Sequence, residues 1–170
     1  DTPVQFEVPE NKKDKGVLTI AFGRFNPPHA GHEKVLSQVA DSAEGGDYVI
    51  VRTGQMEEML KTGSWDGYPG GDAPGFAFET LEWLQEKEIS AIASDTWGCE
   101  VRPNESEEGI NQQWHWITIP IMGITMGEIF FLGDLASDCA NDGIYEFMFV
   151  APALPITGAV GSPTNPLAIK

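Results

Sequence analysis

His115 and Glu128 bracket a stretch, WHWITIPIMGITMGE, with no other ionisable side chain between them. An imidazole and a carboxylate brought together can share a divalent ion or pass a proton. A lone histidine on an apolar strand is equally the pattern of a hydrogen-bonded core histidine, and spacing alone leaves both readings open. The other two histidines, His29 and His32, stand in Gly23–His32, GRFNPPHAGH. Two imidazoles three apart at a helix start suit phosphate oxygens, because the free N–H groups and partial positive charge there favour the same anion. Gly23 and Gly31 permit close backbone approach. A helix start that merely carries two histidines is the plainer alternative.

The elements that must position these groups follow from the apolar pattern. Residues 17–22 (VLTIAF) read as a strand buried on both faces. Val35, Leu36, Val39, Ala40 and Ala43 repeat at helical spacing over 30–43, and Gly45-Gly46 ends the helix. Residues 48–52 form the next strand, which makes a βαβ unit with a right-handed crossover. A short amphipathic helix is expected over 55–62. The loop GSWDGYPGGDAPG follows, too rich in glycine and proline for regular structure. A helix over 76–87 leads to a strand over 89–93, which opens into a loop at Asp95. Strands over 115–121 and 145–150, a helix over 132–140, an Asn141-Asp142-Gly143 turn and a last edge strand complete the chain. The expected class is α/β, with a mixed β-sheet of the 17–22, 48–52, 89–93, 115–121 and 145–150 strands. Residues 1–15, polar with two prolines, read as a loose arm.

The 170 residues suffice for a sizeable core, and 41% apolar content with 19 Gly and 12 Pro suits a turn-rich globular chain. Ten Lys+Arg stand against 26 Asp+Glu, a formal net charge of −16. That balance argues against a nucleic acid or an anionic membrane as partner and is compatible with a cation site. Cys99 and Cys139 belong to no CxxC pair and are expected to be reduced and buried, in a cytoplasmic protein. No apolar run is long enough to span a membrane.

Two family resemblances attach to these residues. GRFNPPHAGH resembles the (H/T)xGH signature of the nucleotidylyltransferases, which implies that His29 and His32 act on a nucleoside triphosphate while Gly23 and Phe25 shape its pocket. The basic phosphate-clamping loop of that family has no counterpart, since no Lys or Arg occurs between Arg102 and Lys170.

From about residue 47 the chain resembles the metal-dependent cyclase family that includes bacterial kynurenine formamidases. The matching stretches are GDYVIVRTGQ, APGF, ASDTWG, VRPNE, His115 to Glu128, DGIYEF and GSPTNP. The resemblance implies a hydrolase of small amides or lactones using zinc or manganese, with His115 and Glu128 as metal ligands. Asp95 and Trp97 are candidates for substrate binding, and a homo-oligomer with sites near subunit boundaries is implied. The family's HxGTHxDxPxH metal motif is absent before GDYVIVRTG, so the hydrolase is expected to be either active or crippled. His29-Ala30-Gly31-His32-Glu33 echoes that motif with one residue removed. The sequence thus reads as a chimera: a nucleotidylyltransferase-like segment over 16–46, a seam at about 43–47, and a cyclase-like segment over 47–170, together one compact domain. A non-catalytic chimeric or designed α/β fold is the third alternative.

Overall fold

The computed structural model describes residues 19–22, 43–65, 67, 71–103, 110–145 and 147–170. The arm over 1–15, the helix over 30–43 except its last residue, Ala43, and Gly23, Phe25, His29 and His32 lie outside the described residues.

Strands β1 (Thr19–Phe22), β2 (Tyr48–Arg52), β3 (Ala91–Ser94) and β4 (Thr125–Gly127) form a parallel sheet in that order. The register sets Val49 beside Ile92 and Ile50 beside Ala93. Because side chains alternate across a strand, these neighbours serve opposite faces. Val49 and Ile92 pack with Leu81, Leu84 and Trp114, while Ile50 and Ala93 pack with Phe130 and Leu132. Helix α2 (Thr80–Glu86) and helix α3 (Gln113–Thr118) thus cover one face. The segment entering helix α4 (Gly133–Asp142) covers the other. Burial from both sides explains why these strands are apolar runs rather than alternating ones.

Helix α1 (Gln55–Thr62) follows β2, begun at Gly54 (φ 89°) and closed at Gly63 (φ 68°), whose N–H donates to the Met59 carbonyl at 2.8 Å. Both positions need the left-handed region that glycine enters without a Cβ clash. Strands β5 (Met148–Val150) and β6 (Leu167–Ile169) pair antiparallel as a separate sheet.

The α/β class expected from the pattern is present, with its parallel and antiparallel pairing divided between two sheets. Two strand assignments need correction. Residues 145–150 do not extend the main sheet; their strand, β5, pairs with β6. Residues 115–121 are not a strand: His115 lies on helix α3. Trp114 and Thr118 are each 0% exposed whereas Trp116 is 60% exposed. Burial at i and i+4 with exposure at i+2 is helical periodicity. Pro120 limits the helix, since it has no N–H to give to the carbonyl four residues back. The strand that fills the fourth place is the three-residue β4.

A carboxylate–histidine–carboxylate candidate active site

The first loop of the site leaves the C-terminal end of β3, and the second leaves the C-terminal end of β4. Open parallel sheets commonly bind ligands at this edge. The β3 loop carries Asp95, Trp97 and Glu100, the β4 loop carries Glu128, and α3 lowers His115 between them.

Glu100 is almost fully buried and anchors the arrangement. Its Oε1 accepts the Trp114 backbone N–H at 3.2 Å, and its Oε2 accepts that of His115 at 3.4 Å. Oε2 also meets His115 Nδ1 at 2.9 Å. Since Glu100 already acts as acceptor to two backbone donors, Nδ1 carries the proton in this contact. The opposite ring nitrogen, Nε2, lies 3.4 Å from Glu128 Oε1. The His115 side chain is 14% exposed, against 4% for Glu100 and 35% for Glu128. One carboxylate is therefore buried behind the ring and the other is open to solvent in front of it. Burial alone pulls the His115 pKa down, but hydrogen bonds to Glu128 and Glu100 and the charges of both outweigh it. The net result lies above the ordinary 6.5.

Three non-glycine residues with positive φ lie next to these groups. Cys99 (φ 52°) precedes Glu100, Ile129 (φ 56°) follows Glu128, and Gln112 (φ 60°) caps the start of α3. Each left-handed residue costs about 1–2 kcal/mol. Such residues concentrate where a site is held against local preference. Cys99 helps to hold it: its thiol accepts from Ser94 Oγ and donates to the Gly127 carbonyl, each at 3.2 Å, which ties the two loops together. Burial pushes this thiol up to about 12, so it remains a neutral donor. Both cysteines are free and buried, as expected.

His115, Glu100 and Glu128 open on a pocket of about 220 Å³. Among the described residues, Trp97, Gly98, Arg102 and Gln112 also line it. Of the residues expected in the site, the structure brings His115, Glu128 and Trp97 together there. Asp95 is placed differently. It is 1% exposed and not in the pocket wall. One oxygen accepts from the Thr53 N–H (2.7 Å) and hydroxyl (2.8 Å), and the other from the Gly54 N–H (2.8 Å). Its carboxylate fastens the start of α1 to the end of β3. Glu100, Arg102 and Gln112 were not legible as site residues. A buried carboxylate and a solvated one look alike in sequence, and Glu100 stands beside the polar 101–110 stretch.

Among the described residues, no group of three or more His, Cys, Asp and Glu side chains could hold a metal ion. His115 Nε2 and Glu128 Oε1 are two potential donors facing each other, one short of such a group. Donors held 2.0–2.1 Å from a tetrahedral zinc sit about 3.3 Å from each other. The observed 3.4 Å fits that edge. The Glu100 contact behind the ring matches the way a metal-bound imidazole is usually oriented.

The Putative cyclase family model matches residues 28–101. That match begins just before His29, takes in His32 and Glu100, and spans 43–47. The chimera and its seam therefore find no support, and neither does the nucleotidylyltransferase reading of GRFNPPHAGH. No curated protein matches the chain. The crystal structure of a novel cyclase superposes with a TM-score of 0.68 at 31% identity, over 91% of this chain. The chain spans about half of that cyclase, 53% of its length. No described helix is long and apolar enough to cross a membrane. The chain is thus similar to cyclases twice over, in sequence across residues 28–101 and in fold across nearly its whole length.

Proposed function

We propose that this chain is the metal-binding part of a cyclase-type hydrolase acting on a small amide or lactone. One observation carries the reading: the 3.4 Å approach of His115 Nε2 to Glu128 Oε1, with Nδ1–H committed to Glu100. In that tautomer Nε2 holds a lone pair, and the oxygen it faces holds another. Two lone pairs at that distance need a cation between them, either a proton on the ring or a metal ion.

Zinc sites take three or four protein ligands, and the described residues offer two. His29 and His32, the only other histidines, are the proposed remainder. A zinc or manganese ion held by these residues would supply Lewis acidity to a water molecule and to the scissile carbonyl. Glu100 fixes the ring plane and keeps the proton on Nδ1, so that Nε2 stays free to bind. Glu128, about one-third exposed at the pocket edge, would be the second protein ligand of that ion. The pocket volume of about 220 Å³ lies below the 300–1,000 Å³ of drug-sized sites, which favours a small substrate. A homo-oligomer is part of the same proposal.

Elemental mass spectrometry of the purified protein and of His115→Ala, alongside assays of formate release from formamides and of lactone opening, tests the reading. Near-stoichiometric zinc or manganese, lost in the variant together with turnover, is the expected result. A wild type that takes up no metal from excess zinc or manganese overturns it. Turnover that survives chelation would instead assign acid–base chemistry to a Glu100-oriented His115.

A further inference from the structure

We propose that a buried hydroxyl–thiol chain, Thr96–Ser94–Cys99, positions Glu128 for the ion it would share with His115; the proposal rests on the metal-site reading above. Ser94, Thr96 and Cys99 are 1%, 0% and 0% exposed. Thr96 Oγ1 lies 2.7 Å from Ser94 Oγ, which donates to Cys99 Sγ at 3.2 Å. The thiol in turn donates to the Gly127 carbonyl at 3.2 Å. A hydroxyl has one proton to give. Ser94 gives its proton to the sulfur, so Thr96 must donate to Ser94, and every proton in the chain points toward Gly127. The chain thus runs from the β3 loop to the peptide group that precedes Glu128.

The peptide group that follows Glu128 is tied to the same loop. The Ile129 N–H donates to the Thr96 carbonyl, and the Phe130 N–H to the Ser94 carbonyl, each at 3.0 Å. Glu128 is therefore fixed through the backbone on both sides, while its carboxylate stays 3.4 Å from His115 Nε2. Gly127 permits the close approach: a Cβ there would stand 2.6 Å from Phe130 Cζ and 3.0 Å from Ala93 Cβ. Ile129 holds φ 56°, a conformation its own preference opposes, so slack in the chain would let the Glu128 backbone relax. Cys99 is the link where residue type matters most. A C–S bond is longer than a C–O bond, so serine would leave both contacts stretched, and alanine would break the chain. Cys99 is a positioning residue that acts on Glu128 through Gly127.

The test measures zinc affinity, by competition with a chromophoric chelator, and stability, by urea unfolding, in the wild type, Cys99→Ala and Cys99→Ser. Cys139→Ala is the matched control, since Cys139 is also 0% exposed but lies on α4, outside the chain. Groups that orient a metal ligand typically contribute about 10- to 100-fold in metal affinity. Both Cys99 variants should lose zinc affinity by this factor, whereas Cys139→Ala should lose stability alone. Cys99→Ser carries the comparison if Cys99→Ala does not fold. Cys99 variants that bind zinc as tightly as the wild type, or an equal loss in Cys139→Ala, overturn the proposal. Crystal structures of the chelator-treated wild type and Cys99→Ser give a readout that needs no metal. If the wild type binds no zinc but Glu128 moves out of reach of Nε2 in Cys99→Ser, the hydrolase reading fails while the positioning chain stands. If Glu128 keeps its 3.4 Å approach in that variant, the chain is overturned.

Discussion

His115 is flanked by two carboxylates that differ in burial, and that difference divides their work. Glu100, buried and satisfied by backbone donors, orients the ring; Glu128, at the pocket edge, can meet a ligand. Glu100→Gln keeps the volume but swaps an anionic acceptor for an amide behind the ring. Metal affinity should fall about 10- to 100-fold, as read by competition with a chromophoric chelator. The pKa of His115 makes a second prediction for chelator-treated protein. Two neighbouring carboxylates hold the imidazole above 6.5 despite its burial. A group whose folded pKa is raised contributes its full stabilisation below the unfolded value and loses it as pH rises through the folded value. The Tm advantage of wild type over His115→Gln should therefore be largest below pH 6.5 and shrink above it. An advantage that grows with pH would show that the ring sits neutral in the absence of metal.

At the scale of elements, the site depends on loops whose backbone would not adopt these conformations alone. Cys99, Gln112 and Ile129 hold positive φ beside the reactive groups, so tertiary contacts must supply what local preference withholds. Asp95 provides some of them, binding the Thr53-Gly54 turn to the end of β3 through three hydrogen bonds. Asp95→Ala leaves buried N–H groups without an acceptor and should cost about 3 kcal/mol, measured by urea unfolding. Because Asp95 lies outside the pocket wall, the surviving folded fraction should bind metal with unaltered affinity. A loss of metal affinity without a loss of stability would move Asp95 into the site.

The centre of the main sheet, β2 and β3, is buried on both faces, yet α3 and the turn after it present apolar side chains outward. Trp116, Ile119 and Ile121 are 60%, 48% and 74% exposed. Large exposed apolar groups close together in sequence are a common mark of an interface. If the chain forms the proposed homo-oligomer through this surface, Ile121→Asp should shift the sedimentation coefficient toward that of the 18.5 kDa monomer. The variant should retain its helical and strand circular dichroism. A wild type that sediments as a monomer at all concentrations would leave these side chains without an interface role.

Periodicity alone determined the α/β class, the parallel β1–β2 start of the sheet, strand β2 and helix α1, because each is decided by which local face is apolar or where a glycine must turn the chain. The pairing of His115 with Glu128 was legible too, as the only ionisable residues in an apolar stretch, while Trp97 was singled out only through the resemblance to the cyclase family. Only tertiary structure decided that His115 rides a helix, since a run as apolar as WHWITIP fits a buried strand equally well until burial separates Trp114 and Thr118 from Trp116. It also decided that Asp95 is a fastening while Glu100 is the anchor of the site. Two carboxylates a few residues apart in one loop look alike in sequence, and which one fastens the Thr53-Gly54 turn and which one meets an imidazole depends on contacts with Thr53 and His115, distant along the chain.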